Sequence, residues 1–200
     1  MATLSRAATA ALLVAACAAA PGCISSQRRL DAKAGQDRAA LAFVAEWPGS
    51  EAPSDVPATV RQAALGSMKA RHFQASAIHS SAYLETFTQQ KLSRSRVEAL
   101  RKLAPDAHTR VLVETSPRWF SQLNGQVKWT VAVRVSIDGP TDAVGAGGET
   151  PAKAPLTVDD SVTVFTRYAY EGPREALDRA APVIARVLEG AIDEYLASAN

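Results

Sequence analysis

Two hundred residues, 47% of them apolar and 21% charged, make one domain with modest extras, and they argue against a disordered chain. The 22 Lys and Arg stand against 20 Asp and Glu, a net charge of +2 with no block of one sign, which argues against a nucleic-acid binder. Two cysteines exclude a disulfide-rich scaffold and a four-thiolate zinc site.

The amino-terminal stretch carries an address. A short start with one positive charge, Arg6, leads into the apolar run Ala7 to Ala16, which holds Leu12, Leu13 and Val14. This run falls short of the roughly 20 apolar residues that cross a bilayer, and small residues follow it, the proportions of a secretory signal. Both cysteines, Cys17 and Cys23, come directly after. Leu13-Val14-Ala15-Ala16-Cys17 resembles the bacterial lipobox. That resemblance implies removal of residues 1–16, diacylglycerol on the Cys17 thiol, and attachment to a membrane through amino-terminal acyl chains such as palmitate. Two or three acyl chains anchor stably where one binds only marginally. Ala20-Pro21-Gly22-Cys23 is the alternative, with residues 1–22 removed and Cys23 lipidated, although Pro21 sits badly in the motif. Cleavage after Ala18-Ala19-Ala20 by an ordinary signal peptidase, and an uncleaved amino-terminal anchor, stay open beside these. The residues after the two cysteines are Ala18 and Ile24, neither of them Asp. In an enteric-type lipoprotein this implies the outer membrane, facing the periplasm. Residues 17–38, including SSQRRLDAKAGQDR, then read as a lipidated start and polar tether.

Residues 39–200 read as a single globular domain. Ala39 to Trp47 is an apolar strand closed by Pro48-Gly49. Asp55 is placed to cap a helix with Pro57 in its first turn. Val56, Val60, Ala64 and Met68 line its inner face, and it ends near His72. Phe73 to Ile78 is a second strand. Tyr83, Leu84 and Phe87 make a short helix, and Ser93 or Ser95 opens another with Val97, Leu100, Leu103 and Ala104 as its stripe, ended by Pro105. Thr109 to Glu114 is a third strand. From Gln126 to Ile137, Val127, Trp129, Val131, Val133, Val135 and Ile137 alternate with polar or small residues, the period of a strand with one buried face. Asn124-Gly125 before it is a tight-turn signal, so Trp119 to Leu123 pairs back. Gly139 to Pro155 is rich in Gly and Pro, and a flexible loop is set at 139–158. Ser161 to Tyr170 is the return strand. Arg174 to Ala197 is an amphipathic helix that Pro182 should kink or restart.

The expected fold is therefore α/β with an α+β tendency, in the order β-α-β-α-β-β-β-α. Its mixed sheet of about five strands ends in an antiparallel meander, and the long carboxy-terminal helix packs over Val131, Val133 and Val135.

Chemistry is thin. No G-x-S-x-G elbow occurs, and His72, His79 and His108 are scattered without a ligand spacing. Asp159-Asp160 point to opposite faces if in a strand, and read as solvated loop-end residues. Gly145-Ala146-Gly147-Gly148 lacks the helix and Lys-Ser pair of a phosphate cradle. Trp119 and Phe120 flank the hairpin turn, where half-buried packing competes with partner contact. No catalytic, cofactor-binding or metal-binding residue is assigned, and no cofactor is expected.

AALAFVAEW, the Asp55 to His72 helix, FQASAI and SRSRVEALRKLAPDAHTRVLVE together resemble the amino-terminal domain of TolB and its lipoprotein relatives. These include the curli-secretion and penicillin-binding-protein-activator groups. The resemblance runs from Ala39 to Ala197, although Thr115-Ser116-Pro117 stands where those chains carry a strand-ending glycine. It implies a non-enzymatic, membrane-tethered domain that binds an envelope protein in secretion, peptidoglycan synthesis or outer-membrane maintenance. The competing expectation is a periplasmic carrier or enzyme, with a pocket between sheet and last helix lined by Trp129, Tyr168 and Tyr170. Self-assembly through an edge strand is a third.

Overall fold

Strand β1 (Arg38–Ala45) is buried at every position after its first, which explains why its sequence is apolar without alternation. Leu41, Phe43 and Ala45 enter one hydrophobic core, while Ala42 and Val44 enter a second on the opposite face. The structure, a computed structural model, describes residues 37–47, 49–123, 125–139, 154–167 and 172–198.

The sheet has the order β2-β1-β3-β4-β5. Strands β2 (Gln74–Ala77) and β3 (Thr109–Leu123) flank β1 in parallel, and β4 (Gln126–Asp138) and β5 (Leu156–Thr166) continue antiparallel. Helix α1 (Ala58–Ala70) joins β1 to β2 and buries Val60, Ala64 and Met68 in the larger core. The return to β3 uses the opposite face, through α2 (Leu84–Gln89) and α3 (Ser93–Leu103), whose Phe87, Val97 and Leu100 fill the smaller core. Helix α4 (Gly172–Ser198) lies beside α1, its Ala181, Ile184, Leu188 and Ile192 sharing the larger core with Val131, Val133 and Val135, as its stripe predicts. Three layers therefore cover β1 and β3. Polar ties join α1 to α4: Arg71 grips Asp193 at 2.8 and 2.9 Å, Ser67 donates to Glu189 at 2.9 Å, and Thr59 donates to Asp178. The Arg71 guanidinium holds the Asp193 carboxyl below its usual range. The five-stranded mixed sheet and long last helix are those read from the sequence.

Several boundaries differ. β3 is one strand of 15 residues, not two pieces around Thr115-Ser116-Pro117. β1 ends at Ala45 opposite Thr115, so among the described residues β3 has no strand partner on that side from Ser116 onward. The Glu46 N–H donates to the Thr115 carbonyl, which sets the odd residues of β3 facing β1; Pro117, lacking an N–H, faces the gap beyond it. β5 begins at Leu156, so residues 156–158 are strand rather than loop. Val158 stands opposite Val135 and carries the apolar face outward from Ser161. The remainder of that loop, from 140 to 153, lies outside the described residues, as do Tyr168 and Tyr170. Gly139 leaves room for Tyr195, whose hydroxyl would stand 2.6 Å from a Cβ placed there.

Asp55 does not cap α1. Pro57 holds that position without a side-chain bond, and Asp55 instead accepts from Arg61 at 2.5 Å. α3 opens at Ser93, one of the two serines expected there, with Leu92 in the cap position before it, and Leu103 is exposed rather than part of the stripe. α4 runs through Pro182 as one helix, with this proline on its exposed side.

Candidate functional site

β1 stops while β3 runs on, and the step between them opens a cleft of about 710 Å³. The place has a topological reason. The chain leaves β1 toward β2 on one side and enters β3 on the other, and ligand crevices in open α/β sheets lie outside the carboxyl ends of strands at such a reversal. One wall is the loop after β1, with Trp47, Glu51 and Pro53; the other is β3, with Ser116, Arg118 and Trp119. Phe87 and Thr88 of α2, Lys91, and Arg96 of α3 complete the lining.

Arg96 is the post on which this end of the fold is built. Its side chain is only 3% exposed, and its guanidinium donates to Glu114 at 2.5 Å, to Glu46 at 2.7 Å and to the Gln90 carbonyl at 2.7 Å. It also lies 5.7 Å from the centroid of the Phe87 ring. A buried cation needs such partners, since an unpaired charge in the interior costs several kcal/mol, on the order of 3–5 when one partner is removed. The second oxygen of Glu114, Oε2, is buried with no partner among the described residues. The network ties α3, β3 and the end of β1 together and leaves Arg96 with little charge to offer a ligand. Sequence reasoning missed it, although Arg96 falls four residues before Leu100 on an apolar stripe and Glu114 closes an apolar strand. Both are misplaced charges of the kind that mark a buried pair.

The hydroxyls of the lining are engaged as donors. Ser50 donates to the Ala52 carbonyl at 2.6 Å, Thr88 to Leu84 at 2.9 Å, and Ser116 to Glu46 at 3.4 Å. What the cleft offers an incoming molecule is the face of two indoles, Trp47 and Trp119, two cations, Lys91 and Arg118, and the Glu51 carboxylate.

The hairpin end carries exposed aromatics on both of its faces. Trp119 is 61% exposed and Phe120 67%, against the expectation of half-buried packing. The register shifts between Trp119 and Ser121, making Phe120 the extra residue of a bulge that turns its ring outward. Lys128 Nζ sits 4.6 Å from the Phe120 centroid, and Phe165 faces Lys128 across β4 and β5. Trp129 points to the other face, buried in the larger core with its indole donating to Thr166 at 3.1 Å. It is packed as core among the described residues.

The other sequence candidates are not brought together. His72 is exposed in left-handed backbone with φ 65°, His79 caps a single 3-10 turn (Ser80–Ala82), and His108 lies 3.5 Å from Asp37. None lines the cleft. Asp159 and Asp160 sit within β5, not at a loop end. Asp159 pairs with Arg134 at 2.6 Å on one face, and Asp160 accepts from the Ser161 N–H at 2.7 Å. Among the described residues no group of three or more His, Cys, Asp or Glu is placed to hold a metal, and no helix is long and apolar enough to cross a membrane. Cys17, Cys23 and the Gly145 to Gly148 run lie outside the described residues.

No protein-family model and no curated protein matches the chain. Solved structures resemble it at low identity. A candidate lipoprotein from Caulobacter crescentus CB15 is 12% identical, with a TM-score of 0.41 over 88% of this chain and 98% of that one. The hypothetical protein CT253 from Chlamydia trachomatis is 9% identical, with a TM-score of 0.44 over 82% and 99%. The lipoprotein GNA1162 from Neisseria meningitidis is 13% identical, with a TM-score of 0.35 over 80% and 99%. Similarity at this level assigns neither fold family nor function.

Proposed function

We propose that the chain is a lipoprotein of the bacterial cell envelope, whose α/β domain is a non-enzymatic accessory module that binds another envelope protein. The observation that carries the reading is the apolar run ending in Leu13-Val14-Ala15-Ala16-Cys17, with both cysteines of the chain confined to that stretch. Cys17 carries the lipid, Cys23 being the alternative, and the polar residues that follow tether the domain to the outer membrane on its periplasmic side. The resemblance of Ala39 to Ala197 to the TolB amino-terminal group supports service to a secretion, peptidoglycan-synthesis or outer-membrane-maintenance complex. The exposed aromatics of the hairpin support a docking role, since such side chains are the usual anchors of interfaces.

Radiolabelled palmitate tests the anchor. Label should enter the wild-type chain and vanish from the Cys17→Ala, Cys23→Ala double variant, with the single variants assigning the site. A wild-type chain exported without label, or retaining Met1, overturns the reading.

A further inference from the structure

We propose that the cleft at the end of β1 is a docking site for an acidic peptide segment carrying an apolar side chain. This rests on the reading of the domain as a docking module, but not on its lipid. Three features of the surface converge on that occupant.

The first is charge. Lys91 and Arg118 at the cleft carry no ion pair among the described residues, while the Glu46 carboxylate is already held by Arg96. Glu51 on the loop wall is the one carboxylate of the lining left without a cation, so the unpaired balance of this surface is positive. Charges so arranged select an anionic partner and speed its capture.

The second is apolar reach. Trp47 and Trp119 stand on opposite walls, Trp119 sharing the sheet face of its cross-strand partner Trp129, while Phe120, Lys128 and Phe165 form a separate cluster on the opposite face. Large aromatic faces beside the cations call for an apolar group next to the negative ones.

The third is the backbone of β3. Its edge past Ser116, without a strand partner among the described residues, borders the cleft, yet Pro117 withholds the N–H that would template a new strand. Recognition here runs through side chains, which confers selectivity for sequence chemistry instead of for any extended chain.

The test uses the full chain carrying Cys17→Ala and Cys23→Ala, without detergent, so that binding is read apart from anchoring and the vesicles stay intact. The probes are synthetic ten-residue peptides of alternating Glu and Leu, the same peptides with Lys in place of Glu, a neutral oligosaccharide, and vesicles of phosphatidylglycerol. Amide shifts in the wild-type surface and fluorescence titration of the exposed indoles report occupancy. The Glu-Leu peptide should bind, weaken steeply with salt, and lose at least tenfold in affinity in the Lys91→Glu, Arg118→Glu variant, which should in turn gain the Lys-Leu peptide. Trp119→Ala should weaken both. These side chains are exposed, so the thermal midpoints should match the parent and separate loss of binding from loss of fold. Equal binding of the two peptides, no binding of the acidic one, or preference for oligosaccharide or vesicles overturns the proposal. Binding in this test together with a wild-type chain that takes no palmitate leaves the proposal standing and overturns only the anchor.

Discussion

A single hydroxyl completes the central strand where its neighbour runs out. Odd residues of β1 turn their backbone toward β2, which ends after Ala77. The Leu41 carbonyl takes the Ile78 N–H at 2.8 Å, and Ala45 exchanges two bonds of 2.8 Å with Ser54. Between them Phe43 has no strand beside it. The Tyr83 hydroxyl fills the place, accepting from the Phe43 N–H at 3.0 Å and donating to its carbonyl at 2.9 Å. Replacement by Phe keeps the ring on Phe87 and strands two buried backbone groups, so Tyr83→Phe should lose about 1–3 kcal/mol at pH 7 in urea denaturation. Burial pushes the hydroxyl up to about 12. The unfolded chain titrates it near 10, so the native state holds the proton longer. Its contribution is intact below pH 10 and falls by up to about 1.4 kcal/mol per unit as pH rises from 10 toward 12. The stability gap between wild type and Tyr83→Phe should therefore narrow over that range. A gap absent at pH 7, or constant through pH 11, contradicts this account. From the sequence Tyr83 reads as one apolar member of a short helix, because its partner is a backbone group 40 residues away.

Elements differ in how plainly their surroundings are written. β4 is legible because one of its faces meets a core and the other does not, so alternation survives in the residues. β1 is legible as buried but not as central, since burial on both faces erases the period. β3 is the least legible. Its first half lies between two strands and its second half has only one neighbour among the described residues, and Pro117 falls where that change occurs. A proline inside a 15-residue strand looks like a break until the end of β1 is known, and that end is fixed by a loop elsewhere in the chain. The cleft shares this origin, being a consequence of strand ends out of register. Pro117→Val tests the role of the missing donor. Val keeps an apolar side chain opposite Val131 and restores an N–H toward the gap, so stability should change by less than about 1 kcal/mol. The mended edge should favour pairing between chains. Sedimentation at matched concentration should show larger species for the variant than for wild type; identical profiles would remove the proline from this guarding role.

At the scale of the molecule, the proposed anchor and the cleft lie at opposite ends of β1. The chain enters β1 at Arg38, beside the start of β3 at Thr109, whereas the hairpin closes at Gly125. The 15 residues of β3 span roughly 50 Å at about 3.3 Å per residue. If the chain is moored at Cys17 as proposed, a flexible run of the 20 residues to Asp37 would reach about 25 Å, short of the roughly 33 Å from Thr109 to Trp119 along β3. A domain moored this way presents the end near Asp106 to its own membrane on average and carries Trp119 and Arg118 toward the aqueous space, where an acidic partner can reach them. Fluorophores on single introduced cysteines read the orientation, with the unlipidated native thiol replaced. Asp106→Cys and Gln122→Cys place exposed labels at the two ends. In liposomes holding the lipidated chain and a headgroup quencher, the label at 106 should be quenched more strongly than the label at 122. Deletion of about ten tether residues should widen the difference, because a shorter tether restricts tumbling near the surface. Equal quenching at both ends, or stronger quenching at 122, would mean that the aromatic hairpin rests on lipid, and the exposed rings would then be membrane contacts instead of anchors for a protein partner.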